Sequence, residues 1–182
     1  MKKEDIKSGD LVFVRGNVFI SHVIEFWMKR YAKKKGIKFD WIASHIFRAF
    51  WDKNTGLLMA AESVDNGFRF REFDKHYDLT KDDIRVKTPI KPYTDNEIAI
   101  GWREAMHLQT VDIGYMYWNF ILWIIYIETG LDLFAKHGDK FTYCYLSSYT
   151  IGNTIRENEF PDKDEMVSFF DLWNNPFVKE TI

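Results

Sequence analysis

The chain carries one side chain equipped for covalent nucleophilic chemistry at neutral pH, the lone thiol of Cys144 in Phe141-Thr142-Tyr143-Cys144-Tyr145-Leu146-Ser147-Ser148. Gly138, Asp139 and Lys140 just before it read as a loop, and helical spacing begins near Tyr143. The thiol is therefore expected in the first turn of a helix. There, unpaired backbone N–H groups and the helix dipole favour a thiolate, and the same groups can hold the oxyanion of a tetrahedral intermediate. The competing reading is a buried, inert cysteine, which is the commoner fate of a free cysteine. With one cysteine no intramolecular disulfide can form.

A cysteine nucleophile needs a base, usually histidine. Five are available: His22, His45, His76, His107 and His137. His22 and His107 fall on helical segments and His76 and His137 in loops, where ordinary roles suffice. His45 lies within Ile42-Ala43-Ser44-His45-Ile46-Phe47, a stretch that reads as strand. Strand interiors favour β-branched and aromatic residues, so an imidazole there needs a partner and holds a fixed direction. Glu62, in Met59-Ala60-Ala61-Glu62-Ser63-Val64, lies on the next strand and comes nearly opposite His45 across a hairpin. A carboxylate there would fix the tautomer of the imidazole. A slip of one residue in the pairing would turn Glu62 to the other face and leave Ser63 or Asp65 as the replacement.

The elements that must position these groups follow from periodicity. Leu11–Val14 reads as a short strand after the turn Lys7-Ser8-Gly9-Asp10, and Ile20, Val23, Ile24, Trp27 and Tyr31 give an amphipathic helix over 17–35, ended by Gly36. Four strands are expected next, at 41–51, 57–63, 67–73 and 84–88. Turns carrying Asn54-Thr55-Gly56 and Asp65-Asn66-Gly67 separate the first three. After Pro89 and Pro92 the period becomes helical, at 96–110, 115–128, 143–156 and 163–173. Strands grouped early and helices late give an α+β class, an antiparallel β-sheet packed against helices on one side.

At 182 residues, with no linker or repeat, the chain is expected to form a single domain over 1–182. Its 16 Phe, 9 Tyr and 7 Trp supply ample core. The net charge of −2 argues against nucleic acid as the main partner. One basic run stands apart: Lys29, Arg30, Lys33, Lys34, Lys35 and Lys38. Such runs are usually the solvated end of a helix, and the sharper reading is a patch for anionic lipid, phosphate or a cell-wall polymer. The charged start Met1–Asp5 has no apolar region behind it, so no secretory signal and a cytoplasmic location are expected. The most apolar stretch, Tyr115–Ile127, is about 13 residues against the roughly 20 a membrane span requires. No HExxH or CxxC spacing occurs, so neither metal nor cofactor is expected.

In order and context these motifs resemble the circularly permuted NlpC-type, papain-like hydrolases of the YiiX-like group, over about residues 8–155. Ser8-Gly9-Asp10-Leu11-Val12-Phe13 is similar to that family's opening; Ser44-His45 matches its Ser-His strand. Ala61-Glu62-Ser63-Val64-Asp65-Asn66-Gly67 matches its acidic strand with a following glycine, and Tyr143-Cys144 its helix-opening nucleophile. The order His, Glu, Cys is the permuted one. The resemblance implies a permuted papain-like fold and a Cys144–His45–Glu62 hydrolase or acyl-transfer enzyme. Its substrate would be a cell-wall peptide amide or a lipid ester or amide, as in acyltransferases similar to lecithin:retinol acyltransferase. Peripheral contact with a membrane or the cell envelope is compatible with this. Two positions depart from the family: Phe47, where a small residue is usual, and Tyr145, where Ser often follows the cysteine. They motivate the alternative, a catalytically inactive papain-like scaffold that binds at an envelope or membrane.

Overall fold

Alternating apolar residues build the sheet outward from β1 (Leu11–Arg15). The structure, a computed structural model, describes residues 1–64, 67–110, 114–115, 117–131, 141–142, 144–157, 159–160 and 167–181; the side chains of 114–115, 117–120 and 141–142 are left aside. β1 lies between β2 (His45–Trp51) and β5 (Asp83–Pro89), and β3 (Leu58–Val64) and β4 (Gly67–Glu72) extend the sheet beyond β2. β8 (Val178–Glu180) returns near the C-terminal end to pair with β5, giving the six-stranded order β4-β3-β2-β1-β5-β8, antiparallel throughout.

Because side chains alternate along a strand, the register divides the sheet into two faces. Leu11 and Phe13 of β1 share one face with Ile46, Arg48 and Phe50 of β2. Four helices cover that face: α1 (Phe19–Lys35), α2 (Asp95–Thr110), α3 (Tyr117–Thr129) and α4 (Cys144–Ile155), with the short α5 (Phe169–Trp173) behind them. Val12, Val14, Phe47, Ala49, Leu58 and Ala60 share the opposite face, where Phe73, Tyr77 and Leu79 close over them. The protein is therefore α+β with helices on one side of the sheet. Among the described residues no helix is long and apolar enough to cross a membrane.

Several boundaries differ from those read in the sequence. β2 begins at His45 rather than at Trp41. Residues 41–43 stand off the ladder, the Trp41 indole donating to Asp83 (3.0 Å) and Ala43 C=O accepting from the Tyr145 hydroxyl (3.0 Å), while Ser44 N–H still reaches Val14 C=O of β1 (3.1 Å). A helix expected at 163–173 is helical over Phe169–Trp173, and 163–166 lie outside the described residues. β8 and a two-stranded parallel pair, β6 (Gly114–Tyr115) with β7 (Phe141–Thr142), are additions. The turn residues Asp65 and Asn66 lie outside the described residues.

Candidate active site

His45 opens β2 and sits across from Val14 of β1, at the end of the sheet rather than in mid-strand. Continuing the β2–β3 register, in which Arg48 pairs with Ala61, sets Phe47 across from Glu62, so Glu62 is one diagonal step from His45 on the same face. The long carboxylate arm closes that step: His45 Nε2 lies 2.6 Å from Glu62 Oε2. Ser63 points to the other face, and Asp65 is outside the described residues. Of the three carboxylate-side candidates, Glu62 is the one that meets the imidazole.

Cys144 is the first residue of α4, as the helical spacing implied, although the adjoining Tyr143 is not among the described residues. Its side chain is buried, 5% exposed, and is one of the groups that raise the His45 imidazole. Nε2 faces Glu62, which leaves Nδ1 of the ring for the sulfur. Tyr145 ties the first turn of α4 to the chain just ahead of His45 through its bond to Ala43 C=O. Tyr145 thus acts as a staple between the start of α4 and the start of β2. Of the other histidines, His22, His76 and His107 are exposed and away from this cluster, and His137 is outside the described residues.

Two residues not singled out in the sequence complete the arrangement. Arg71 Nε donates to Glu62 Oε1 (2.5 Å), and the Tyr77 hydroxyl donates to Glu62 Oε2. Arg71 was legible in principle. With Val64 paired to Gly67 across the β3–β4 turn, Arg71 pairs with Ala60 and therefore shares a face with Glu62. Tyr77 carried no comparable signal. Its ring stacks on Phe47 at 4.7 Å between centroids, and Phe47 is fully buried, its ring 6.2 Å from that of His45. Phe47 thus supports the tyrosine that holds Glu62.

The electrostatics follow from this packing. Burial pushes Glu62 upward, but His45, Tyr77 and Arg71 outweigh it and hold the carboxyl at about 2, below its ordinary 4.5. Burial pushes His45 downward, but hydrogen bonds and charge at Cys144 and Glu62 outweigh it and raise the ring from 6.5 to about 10. Burial and the neighbouring Glu62 charge raise Tyr77, which therefore stays a hydroxyl donor. A fixed carboxylate, an imidazole that readily holds a proton and a thiol beside it can move a proton between sulfur and nitrogen without large rearrangement.

No family model matches the chain, and no curated protein sequence is similar to it. A solved structure, described as metalloprotein YiiX from Escherichia coli O157:H7, does match: the TM-score is 0.50 at 10% identity, over 98% of this chain and 97% of that one. The fold is YiiX-like. YiiX is described as a metalloprotein. Among the described residues no group of three or more His, Cys, Asp and Glu is placed to hold a metal ion, and both Glu62 oxygens are taken by Arg71, Tyr77 and His45. The cluster does not form a ligand set.

Proposed function

We propose that this YiiX-like protein is a thiol acyl hydrolase or acyltransferase of the permuted NlpC-type, papain-like kind. The observation that carries the reading is the chain of contacts Cys144–His45–Glu62, assembled from a helix start and two neighbouring strands. Cys144 Sγ attacks the carbonyl carbon of an amide or ester, its proton already held by His45 Nδ1. The backbone N–H groups of the first turn of α4 face the developing oxyanion, an effect worth about 3–4 kcal/mol per well-placed donor. Collapse of the tetrahedral intermediate returns the proton from His45 to the departing amine or alcohol and leaves an acyl thioester. Water, or an acceptor alcohol or amine, then attacks the thioester, giving up its proton to His45 and releasing the thiol. Glu62 holds the ring and its charge throughout, and Arg71 and Tyr77 hold Glu62. The substrate class that fits is a peptide or lipid acyl group, a cell-wall stem-peptide amide or a lipid ester or amide.

The burial of Cys144 favours a second reading, a YiiX-like scaffold without turnover. One experiment separates the two. The reading as an enzyme expects Cys144 to be alkylated by iodoacetamide at pH 6 faster than a small free thiol, and to be the residue captured by an acyl-type electrophilic probe. A thiol that reacts only after denaturation, or a Cys144→Ala protein with undiminished activity on a substrate so identified, overturns it.

A further inference from the structure

The feature of the surface that this reading leaves unused is the outer side of α1. Among the described residues, several exposed large apolar side chains lie on it or just beyond its ends: Phe19 is 83% exposed, Phe26 59% and Val18 57%, with Ile20 and Phe39 also open, while Leu131, Ile90 and Phe177 are exposed elsewhere. Phe19, Phe26 and Lys33 are spaced seven residues apart, so they fall on one line along the helix, opposite the buried line of Ser21, Glu25, Met28 and Ala32. The outer face thus runs from apolar at its start to cationic at its end.

The charge is as lopsided as the hydropathy. Residues 18–39 hold six Lys and Arg against one acid, Glu25, which is buried under Arg15 and Lys29. The rest of the chain holds 19 Lys and Arg against 26 Asp and Glu. Glu128 of α3 engages Arg30 and Lys34, while Lys33, Lys35 and Lys38 have no carboxylate within ion-pair distance among the described residues. An anionic surface therefore attracts this face and repels the remainder, which fixes an orientation as well as an affinity. Exposed aromatic residues beside unpaired cations on one helix face fit a bilayer better than a protein groove. The rings enter the acyl boundary while the ammonium groups meet the phosphates.

We infer that α1 is a docking face for an anionic lipid membrane, through Val18, Phe19, Ile20 and Phe26 with Lys33, Lys35 and Lys38. The face is joined to the candidate site by a short stretch of chain. Gly16 N–H donates to Ser44 Oγ (2.9 Å), next to His45, and the helix begins three residues later. Docking through the tip of α1 therefore holds the Cys144–His45 end of the sheet beside the lipid surface. The inference goes beyond the proposed chemistry and does not depend on it.

Sedimentation of the full-length protein with vesicles tests it. Vesicles of phosphatidylglycerol and phosphatidylcholine in equal parts should carry the protein down, pure phosphatidylcholine vesicles much less, and added salt should weaken the first. The Phe19→Ser/Phe26→Ser variant should lose roughly tenfold in partitioning per ring. Lys33→Gln, Lys35→Gln and Lys38→Gln should each lose roughly fivefold. These positions are exposed, and an unchanged thermal midpoint confirms the fold. A wild-type protein that stays in solution, or a double Phe variant that binds as well as wild type, overturns the inference. So does gel filtration showing a dimer that the Phe variant dissolves, since the face would then join two copies. Cys144→Ser should bind vesicles as wild type does. An inert Cys144 with intact vesicle binding refutes the acyl chemistry alone, and a reactive Cys144 without vesicle binding refutes the docking face alone.

Discussion

Two buried clusters in this protein use the same three residue types and behave differently. On the helix-covered face, Arg48 and Glu159 form an ion pair at 3.0 Å, and Tyr93 donates to the same glutamate. On the opposite face, Arg71 and Tyr77 converge on Glu62. In the first cluster the guanidinium is fully buried and closed on all sides: Arg48 also donates to Gly9 C=O (3.0 Å) and to Ser148 C=O of α4 (2.8 Å). Gly152 leaves room for it, since a Cβ there would stand 2.2 Å from Arg48 Nη2. In the second cluster one carboxylate oxygen is shared by Tyr77 and His45, and the His45 side chain is 24% exposed beside Cys144. A buried Arg–Glu–Tyr cluster is thus no signature of a site. What distinguishes the second is a titratable neighbour left partly open beside a thiol. The first holds α4 on the sheet.

The comparison breaks most visibly at Arg48. Arg48→Met strands the Glu159 charge and two backbone carbonyls, and should cost about 3–5 kcal/mol in denaturant unfolding, the usual penalty for removing one partner of a buried pair. The fraction that remains folded should keep the pH at which Cys144 alkylation sets in. Glu62→Gln should do the reverse. Lost hydrogen bonds to a charged group suggest a stability cost nearer 1.5–3 kcal/mol, while alkylation at pH 6 should fall tenfold or more, each decade corresponding to about 1.4 kcal/mol. Equal stability losses with unchanged pH profiles in both variants would erase the distinction between the clusters.

The same contrast shows what could be read from the chain alone. β1, β3, β4 and β5, and the helices α1 to α4, stood out because period-2 and period-3.6 patterns are local. His45 and Glu62 could be paired because a tight turn joins their strands. The Arg48 cluster was invisible: Glu159 lies 111 residues away, and nothing in the local pattern around Arg48 announces a partner at that distance. β8 has three residues, too few to alternate. Composition alone puts His45 mid-strand, because residues 41–44 are strand-like, and their departure from the strand involves Tyr145 and Asp83, distant partners again.

Stability against pH sharpens the comparison at the candidate site. His45 is raised from 6.5 to about 10, so its contribution is complete below pH 6.5 and is lost as pH rises towards 10. Glu62 is lowered from 4.5 to about 2, so its contribution is complete above pH 4.5 and is lost as pH falls towards 2. This cluster therefore stabilises most between about pH 4.5 and 6.5. Unfolding free energy measured from pH 6 to 10 should fall in the wild type and fall less in His45→Gln. Arg48→Met, although less stable at every pH, should keep the alkaline fall. A His45→Gln protein with an unchanged alkaline slope would show that the imidazole holds no extra proton in the folded state.

The smallest effect is expected at Tyr77. Tyr77→Phe removes one hydroxyl and keeps the ring, so the 4.7 Å stack on Phe47 and the packing on Phe73 at 5.4 Å survive. What is lost is one of the donors to Glu62, with Arg71 and His45 still in place. A hydrogen bond to a charged group is worth about 1.5–3 kcal/mol, part of which returns because the buried hydroxyl no longer needs a partner. The carboxylate then binds its proton more readily and the imidazole is held less firmly. Alkylation of Cys144 at pH 6 should drop severalfold, less than for Glu62→Gln, with little change in stability. A merely structural tyrosine predicts the opposite split, a stability loss with the pH profile of alkylation unmoved. Arg71→Lys adds a gradation, since an ammonium keeps the charge beside Glu62 but not the guanidinium's planar geometry. It should retain more reactivity than Arg71→Gln if charge at Glu62, and not shape alone, is what sets the thiol–imidazole pair.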